Sequence, residues 1–112
     1  MTDVNQLVNF FGNLANGSQG SIKFFSNLNM PNKYSNTWDS GPGARTEFYS
    51  AWFNPPAEAL AIRGIPSSDK VGFQMAVALH ELRHATGRLG HHKTSESPGI
   101  DKRIYNTCVR GR

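Results

Sequence analysis

Five residues in the middle of the chain read His-Glu-Leu-Arg-His and lie within an apolar segment that ends at Gly87. An α-helix turns about 100° per residue, so side chains four positions apart project from nearly the same face. His80 and His84 can therefore bind one metal ion together, one helical turn apart. Glu81 follows the first histidine, where its carboxylate could take a proton from a metal-activated water molecule. The pattern predicts a metal-binding helix over residues 69–86.

The His-Glu-x-x-His spacing is typical of zinc peptidases. The alternative is an ordinary helix whose histidines cover its surface. Apolar residues flank the pattern from Met75 to Leu82, which places the histidines at the boundary of a core. Gly87 is a natural residue to end the helix and turn the chain back. We therefore expect Zn²⁺ as the cofactor and Glu81 as the general base of a zinc metallopeptidase that hydrolyses peptide bonds.

Catalytic zinc usually has three protein ligands and one open position. Four downstream residues could supply the third ligand: His91, His92, Glu96 and Asp101. A histidine three residues after the glycine would complete a common zinc-peptidase signature, but that position is Gly90 and His91 follows it by one residue. We favour His91 as the third ligand, with Asp101 as the alternative.

The N-terminal third of the chain predicts a helix, a strand and a loop. Apolar residues recur at helical spacing over residues 3–16, which predicts an amphipathic helix. Residues 21–25 predict a short strand. Residues 26–44 are rich in Asn, Ser, Gly and Pro and predict a loop, in which we expect Trp38 to anchor the chain to the core.

Two further strands are predicted before the metal-binding helix. Residues 46–54 are rich in aromatics, Pro55 and Pro56 break that segment, and residues 59–63 would close a hairpin. The order of elements predicts an α+β fold: a short antiparallel sheet packed on an N-terminal helix and on the central helix. An extended peptide could add to an edge of such a sheet.

Tyr49 and Tyr105 each carry a hydroxyl group that could stabilise a developing oxyanion. For both tyrosines we expect a packing or surface role instead. Cys108 is the single cysteine and is expected to be a bystander thiol. One cysteine excludes an internal disulfide framework and suits a reducing compartment, which favours a cytoplasmic location.

The chain has 112 residues, enough for one small domain. It has no apolar run of about 18 residues, so no membrane span is predicted, and its first residues do not resemble a secretory signal. From Arg83 onward there are seven Lys and Arg against two acidic residues. We expect residues 93–112 to form a basic, solvated tail, for which a weak nucleic-acid contact is the alternative.

Residues 47–92 resemble the zincin-like metallopeptidase domain of ArdC-type antirestriction proteins and related phage polyvalent proteins. The matching segments, in order, are Glu47-Phe48-Tyr49, Asn54-Pro55-Pro56, His80-Glu81-Leu82-Arg83-His84-Ala85-Thr86-Gly87 and Arg88-Leu89. The resemblance implies a zincin-like fold, a phage or plasmid setting, zinc on His80 and His84, and catalysis by Glu81. Family members complete the metal site from a later Glu-rich helix. We expect a local residue to replace it here, or the chain to be a truncated form.

One zincin-like domain over residues 1–112 is therefore predicted. It would comprise an N-terminal helix, strand and loop over residues 1–44, the hairpin and metal helix over residues 45–92, and the tail. Its expected partner is a protein or peptide substrate. The alternative is a weak or inactive zincin-like binding protein that occludes a host protein or a nucleic-acid partner.

Overall fold

The computed structural model describes residues 23–27, 33–38, 45–85, 87 and 89–112. In this part of the chain the strands are β1 (Lys23–Asn27), β2 (Ser35–Trp38) and β3 (Arg45–Tyr49). The α-helices are α1 (Ser50–Phe53), α2 (Ala57–Ala61), α3 (Lys70–Ala85) and α4 (Ser97–Ile104). The predicted α+β class is confirmed, while the helix expected over residues 3–16 lies outside the described residues.

The sheet has the strand order β1-β3-β2. Strands β2 and β3 are antiparallel, with Ser35 opposite Phe48 and Thr37 opposite Thr46. Strand β1 is parallel to β3 and overlaps the strand expected over residues 21–25. The sheet is therefore mixed, whereas the sequence predicted a purely antiparallel one.

Strand β2 lies inside the segment that was expected to be a loop, so that part of the prediction is wrong. Its residues alternate between half-buried and exposed positions, as in a strand that packs only one face against the rest of the protein. Ser35 and Thr37 take the inward positions, and because both are polar they hide the usual alternation of apolar residues. Trp38 does not anchor the core; it is 40% exposed, with the Arg45 guanidinium 5.4 Å from its ring centroid.

The prediction of a hairpin from residues 46–54 and 59–63 is also wrong. Strand β3 ends at Tyr49, and the chain continues into the helical turn α1. Pro56 then stands at the N-cap of α2, where its fixed φ is compatible with a helix start. The sequence Ala-Glu-Ala-Leu-Ala of α2 consists of strong helix formers. Their helix propensity outweighs the short apolar run, which had suggested a strand.

Helix α3 has the boundaries that the sequence predicted, to within one residue. Asp69 caps its start, because its Oδ1 accepts the backbone N–H of Gly72 at 3.0 Å. Arg112 mainly, with help from Tyr105 and Gly72, lowers the pKa of Asp69 to about 2. Gly87 has a φ of 75° and donates its N–H to the His84 carbonyl, which ends the helix as expected.

The hydrophobic core lies between α3 and the elements β3, α1, α2 and α4. Helix α1 is fixed to α3 by a reciprocal pair of hydrogen bonds: Trp52 Nε1 donates to the Gln74 carbonyl, and Gln74 Nε2 donates to the Trp52 carbonyl, both at 3.1 Å. The largest apolar side chains of this core are Phe48, Trp52, Leu60, Ile65, Phe73, Ile104 and Tyr105.

Residues 93–112 fold against α3 and do not form a solvated tail, so that expectation is wrong. A 3₁₀ turn (Thr94–Glu96) leads into α4, and a π-helical turn (Tyr105–Val109) continues from it. The buried residues Asp101, Ile104, Tyr105 and Val109 have helical spacing, while the lysines and arginines of the segment are exposed, and net charge alone does not reveal this pattern. Among the described residues, no helix is both long and apolar enough to cross a membrane.

Candidate metal centre

Three histidine side chains converge beside the C-terminal half of α3. His80 Nε2 lies 3.1 Å from His84 Nε2 and 2.9 Å from His92 Nε2, and the last two atoms are 3.0 Å apart. His80 and His84 are one turn apart on α3, as the sequence predicted. His92 reaches them because Gly87 reverses the chain after the helix. The three residues lie close enough to bind one metal ion.

The remaining ring nitrogens show where the protons of these imidazoles are. His84 Nδ1 donates to the Leu89 carbonyl at 3.1 Å, and His92 Nδ1 donates to the Lys93 carbonyl at 2.8 Å. A carbonyl oxygen only accepts, so both Nδ1 atoms carry hydrogen. His80 Nδ1 faces the Asp101 carboxylate at 2.7 Å and donates to it.

In the neutral form of each ring, the Nε2 atom therefore holds a lone pair and no proton. Three lone pairs face one another at about 3 Å with no N–H between them, which is unfavourable for the free rings and suits a cation. An N–N separation of about 3 Å puts each nitrogen about 1.7 Å from the centre of the triangle, within reach of the usual Zn–N distance of about 2.0–2.1 Å. Burial and then the neighbouring His80 lower the pKa of His84, which favours the neutral, metal-binding ring.

His92, and not the favoured His91, completes the cluster. His91 is exposed, although it lies along the same cleft. The sequence placed both residues among the possible ligands and favoured His91 by its spacing after Gly87, but spacing does not determine which of two adjacent side chains faces the cluster. Glu96 is exposed and accepts the Lys93 backbone N–H at 3.2 Å, so its side chain caps the start of the 3₁₀ turn.

Asp101, the alternative third ligand, lies behind His80 and outside the cluster. Its Oδ1 accepts from His80 Nδ1, and its Oδ2 accepts from Arg63 Nε at 2.8 Å. The Arg63 and Asp101 side chains are only 4% and 2% exposed. Such a carboxylate orients a ligating histidine and fixes its tautomer. No sequence pattern marked Arg63, because it lies 38 residues from Asp101 in the chain.

Glu81 is 5% exposed and is held by residues of β2. The Thr37 hydroxyl donates to Glu81 Oε2 at 3.0 Å. Because Thr37 has only one hydroxyl hydrogen, the Thr46 hydroxyl, 2.8 Å away, donates to Thr37. Burial raises the pKa of Glu81 to about 7, against the lowering effects of His80 and of the Thr37 and Ser35 hydroxyls.

A cleft of about 720 Å³ gives access to this centre. Its described lining includes the three clustered histidines and Glu81, with Lys33 and Ile62 among the other residues. Ile62 is 61% exposed, which is unusual for a large apolar side chain in this fold. The volume of the cleft is within the usual range of small-molecule binding sites.

Tyr49 and Tyr105 have structural partners. The Tyr49 hydroxyl donates to Glu47 Oε2 at 3.1 Å, and the Tyr105 hydroxyl donates to Asp69 Oδ2 at 2.7 Å. Burial raises the pKa of Tyr49, and the hydrogen bond to Asp69 raises that of Tyr105. Neither is among the described residues that line the cleft, in keeping with the expected packing roles. Cys108 is an exposed free thiol.

Comparison of the chain with protein-family models, curated proteins and solved structures gives no match. The function of the chain must therefore be inferred from the residues around the cleft.

Proposed function

We propose that this protein is a zinc-dependent peptidase in which His80, His84 and His92 hold the ion and Glu81 is the general base. The observation that carries the proposal is the convergence of the Nε2 atoms of three histidines in a cleft that also contains a buried carboxylate. Three neutral histidines with one open position are a donor set typical of catalytic zinc.

Bound zinc supplies a Lewis acid that polarises a carbonyl group and makes water more acidic. The protein's own residues supply the rest of the chemistry. Glu81 follows the ligand His80 on α3, so the helix fixes where its carboxylate lies relative to the cluster. The Thr37 and Ser35 hydroxyl groups hold the Glu81 carboxylate in place, and in the proposed reaction this carboxylate accepts a proton and later delivers it to the leaving amine.

One observation favours a second candidate, a zinc-holding binding protein that acts by occlusion. Glu81 is almost fully buried, and one of its oxygens already accepts a hydroxyl group from Thr37. A carboxylate in this setting can serve the structure alone. The two candidates differ in what happens when the carboxylate is replaced and the histidines are kept.

The decisive variant is Glu81→Gln, which keeps the shape of the side chain and removes its capacity to take up a proton. The purified wild type should bind about one zinc per chain and cleave members of a broad peptide library. Glu81→Gln should keep the zinc and lose at least about 100-fold in cleavage rate, the usual contribution of a general base.

Glu58→Gln is the matched control, because Glu58 is exposed on α2 and is not among the described residues that line the cleft. It should cleave at the wild-type rate. Zinc-loaded wild type that cleaves no peptide, or Glu81→Gln protein that is fully active, would reject the peptidase and leave the binding protein.

A further inference from the structure

We propose that Arg63 is a positioning residue for the metal centre: it fixes Asp101, which in turn sets the tautomer and orientation of His80. The inference rests on the proposed three-histidine metal site but does not depend on peptidase activity. It assigns a role at the centre to a residue at the end of α2, outside the helix that carries two of the ligands.

Arg63 is held in one place by contacts on several sides. Its Nη1 donates to the Ala59 carbonyl at 2.7 Å, and its Nε donates to Asp101 Oδ2 at 2.8 Å. Its guanidinium carbon lies 5.1 Å from the ring centroid of Tyr34 and 5.2 Å from that of Phe73. An arginine fork that is stacked and hydrogen-bonded in this way has little freedom to turn.

Arg63 affects the orientation of His80 through the carboxylate of Asp101, which contacts both residues. Because the guanidinium always carries its hydrogens, Asp101 Oδ2 can only accept. Oδ1 of the same planar group is then directed at His80 Nδ1, 2.7 Å away. Nδ1 keeps the proton, and the lone pair of Nε2 is left facing His84 and His92. The opposite tautomer would place a hydrogen inside the cluster and exclude the cation.

Stability alone does not account for this arrangement. A buried ion pair is often no more stable than a pair of apolar residues of similar volume, because both charges must be desolvated. Replacing the whole pair should therefore spare the fold while removing the support of His80. Metal affinity and folding stability can be separated on this basis.

The test compares zinc affinity in the wild type, Arg63→Met and the double variant Arg63→Met/Asp101→Leu. Zinc alone is titrated against a chromophoric chelator, and urea unfolding is followed in parallel. Both variants should bind zinc about 10–100-fold more weakly, the usual effect of losing an outer contact to a ligand. The double variant should be the more stable of the two, since it leaves no unpaired buried charge.

Arg103→Met is the matched control, because Arg103 is an exposed arginine on α4. It should bind zinc like the wild type. A measurement without mutation is provided by the ¹⁵N-coupled imidazole spectrum of the metal-free wild type, in which His80 should carry its proton on Nδ1.

Three outcomes would overturn the inference. The first is wild-type zinc affinity in folded Arg63→Met or in the folded double variant, and the second is a His80 ring protonated on Nε2 in the metal-free wild type. The first rejects only the role of Arg63 and leaves the proposed metal site standing, whereas the second also places a hydrogen inside the cluster and so counts against the metal site itself. The third is a wild type that binds no zinc, which removes the metal site and the role of Arg63 together.

Discussion

Adjacent histidines differ sharply in what they contact. His92 has both ring nitrogens engaged, one with the Lys93 carbonyl and the other with the cluster, whereas the His91 side chain is exposed. Of the two adjacent side chains, only that of His92 enters the cluster. The pair therefore supplies a comparison in which the residue type is the same and only the position differs.

We expect His92→Ala to lose zinc affinity by more than the roughly 10–100-fold that removal of an outer contact typically costs, because a direct ligand is gone. His91→Ala should bind zinc as the wild type does. Competition with a chelator at pH 7.5 measures both. Equal losses in the two variants, or a loss confined to His91→Ala, would show that the third ligand is assigned to the wrong residue.

Helix α3 is the element around which the site is built, and the side chains around its first turn are closely packed. Gly72 lies in its first turn beside the Asp69 carboxylate, and a Cβ built there would lie 2.8 Å from Cε2 of Tyr105. Tyr105 in turn donates to Asp69. A side chain at position 72 would therefore push the C-terminal segment away from the helix that it covers.

Gly72→Ala should lower the free energy of unfolding by about 1–3 kcal/mol, the usual effect of overpacking, despite the better helix propensity of alanine. Gly99→Ala on α4 is the matched control, since no described atom lies within 4 Å of a Cβ at that position. It should raise stability by up to about 1 kcal/mol. Urea unfolding of both variants tests the difference in sign, and stabilisation by Gly72→Ala would contradict this packing.

Elements with several agreeing local signals were predictable. Helix α3 combined a helical apolar period, a capping Asp69 and a terminal Gly87, and its boundaries were confirmed. Strand β2 was missed because it turns the polar side chains of Ser35 and Thr37 inward. Helix α2 was missed because a short apolar run is compatible with a strand as well as a helix, although its Ala, Glu and Leu residues favour the helix. Two of the three clustered histidines follow from helix geometry, while the third depends on the path of a loop.

For the whole molecule, the histidine cluster brings together α3, the turn that follows it and α4. His92 follows the turn after α3, and Asp101 on α4 supports His80 from behind. A cation at the three Nε2 atoms would relieve the repulsion of their lone pairs. Occupancy of the site should therefore be coupled to the stability of the C-terminal segment.

Removal of the metal should lower the stability of the folded chain. Zinc that binds only the native state adds about 2.7 kcal/mol at a free concentration of 100 times its dissociation constant. Thermal unfolding with zinc and with excess chelator should differ accordingly. Hydrogen exchange should show the largest loss of protection in residues 89–104. Identical melting curves under both conditions would mean that no such linkage exists.

The three histidines lie within thirteen consecutive residues, whereas Arg63 and Asp101 come from more distant parts of the chain. Closing so short a loop costs little chain entropy. The ligands can therefore meet as soon as α3 and its terminal turn have formed, before the sheet docks. A cation captured at that stage would act as a nucleus for folding, and the sheet and the buried ion pair would assemble around it.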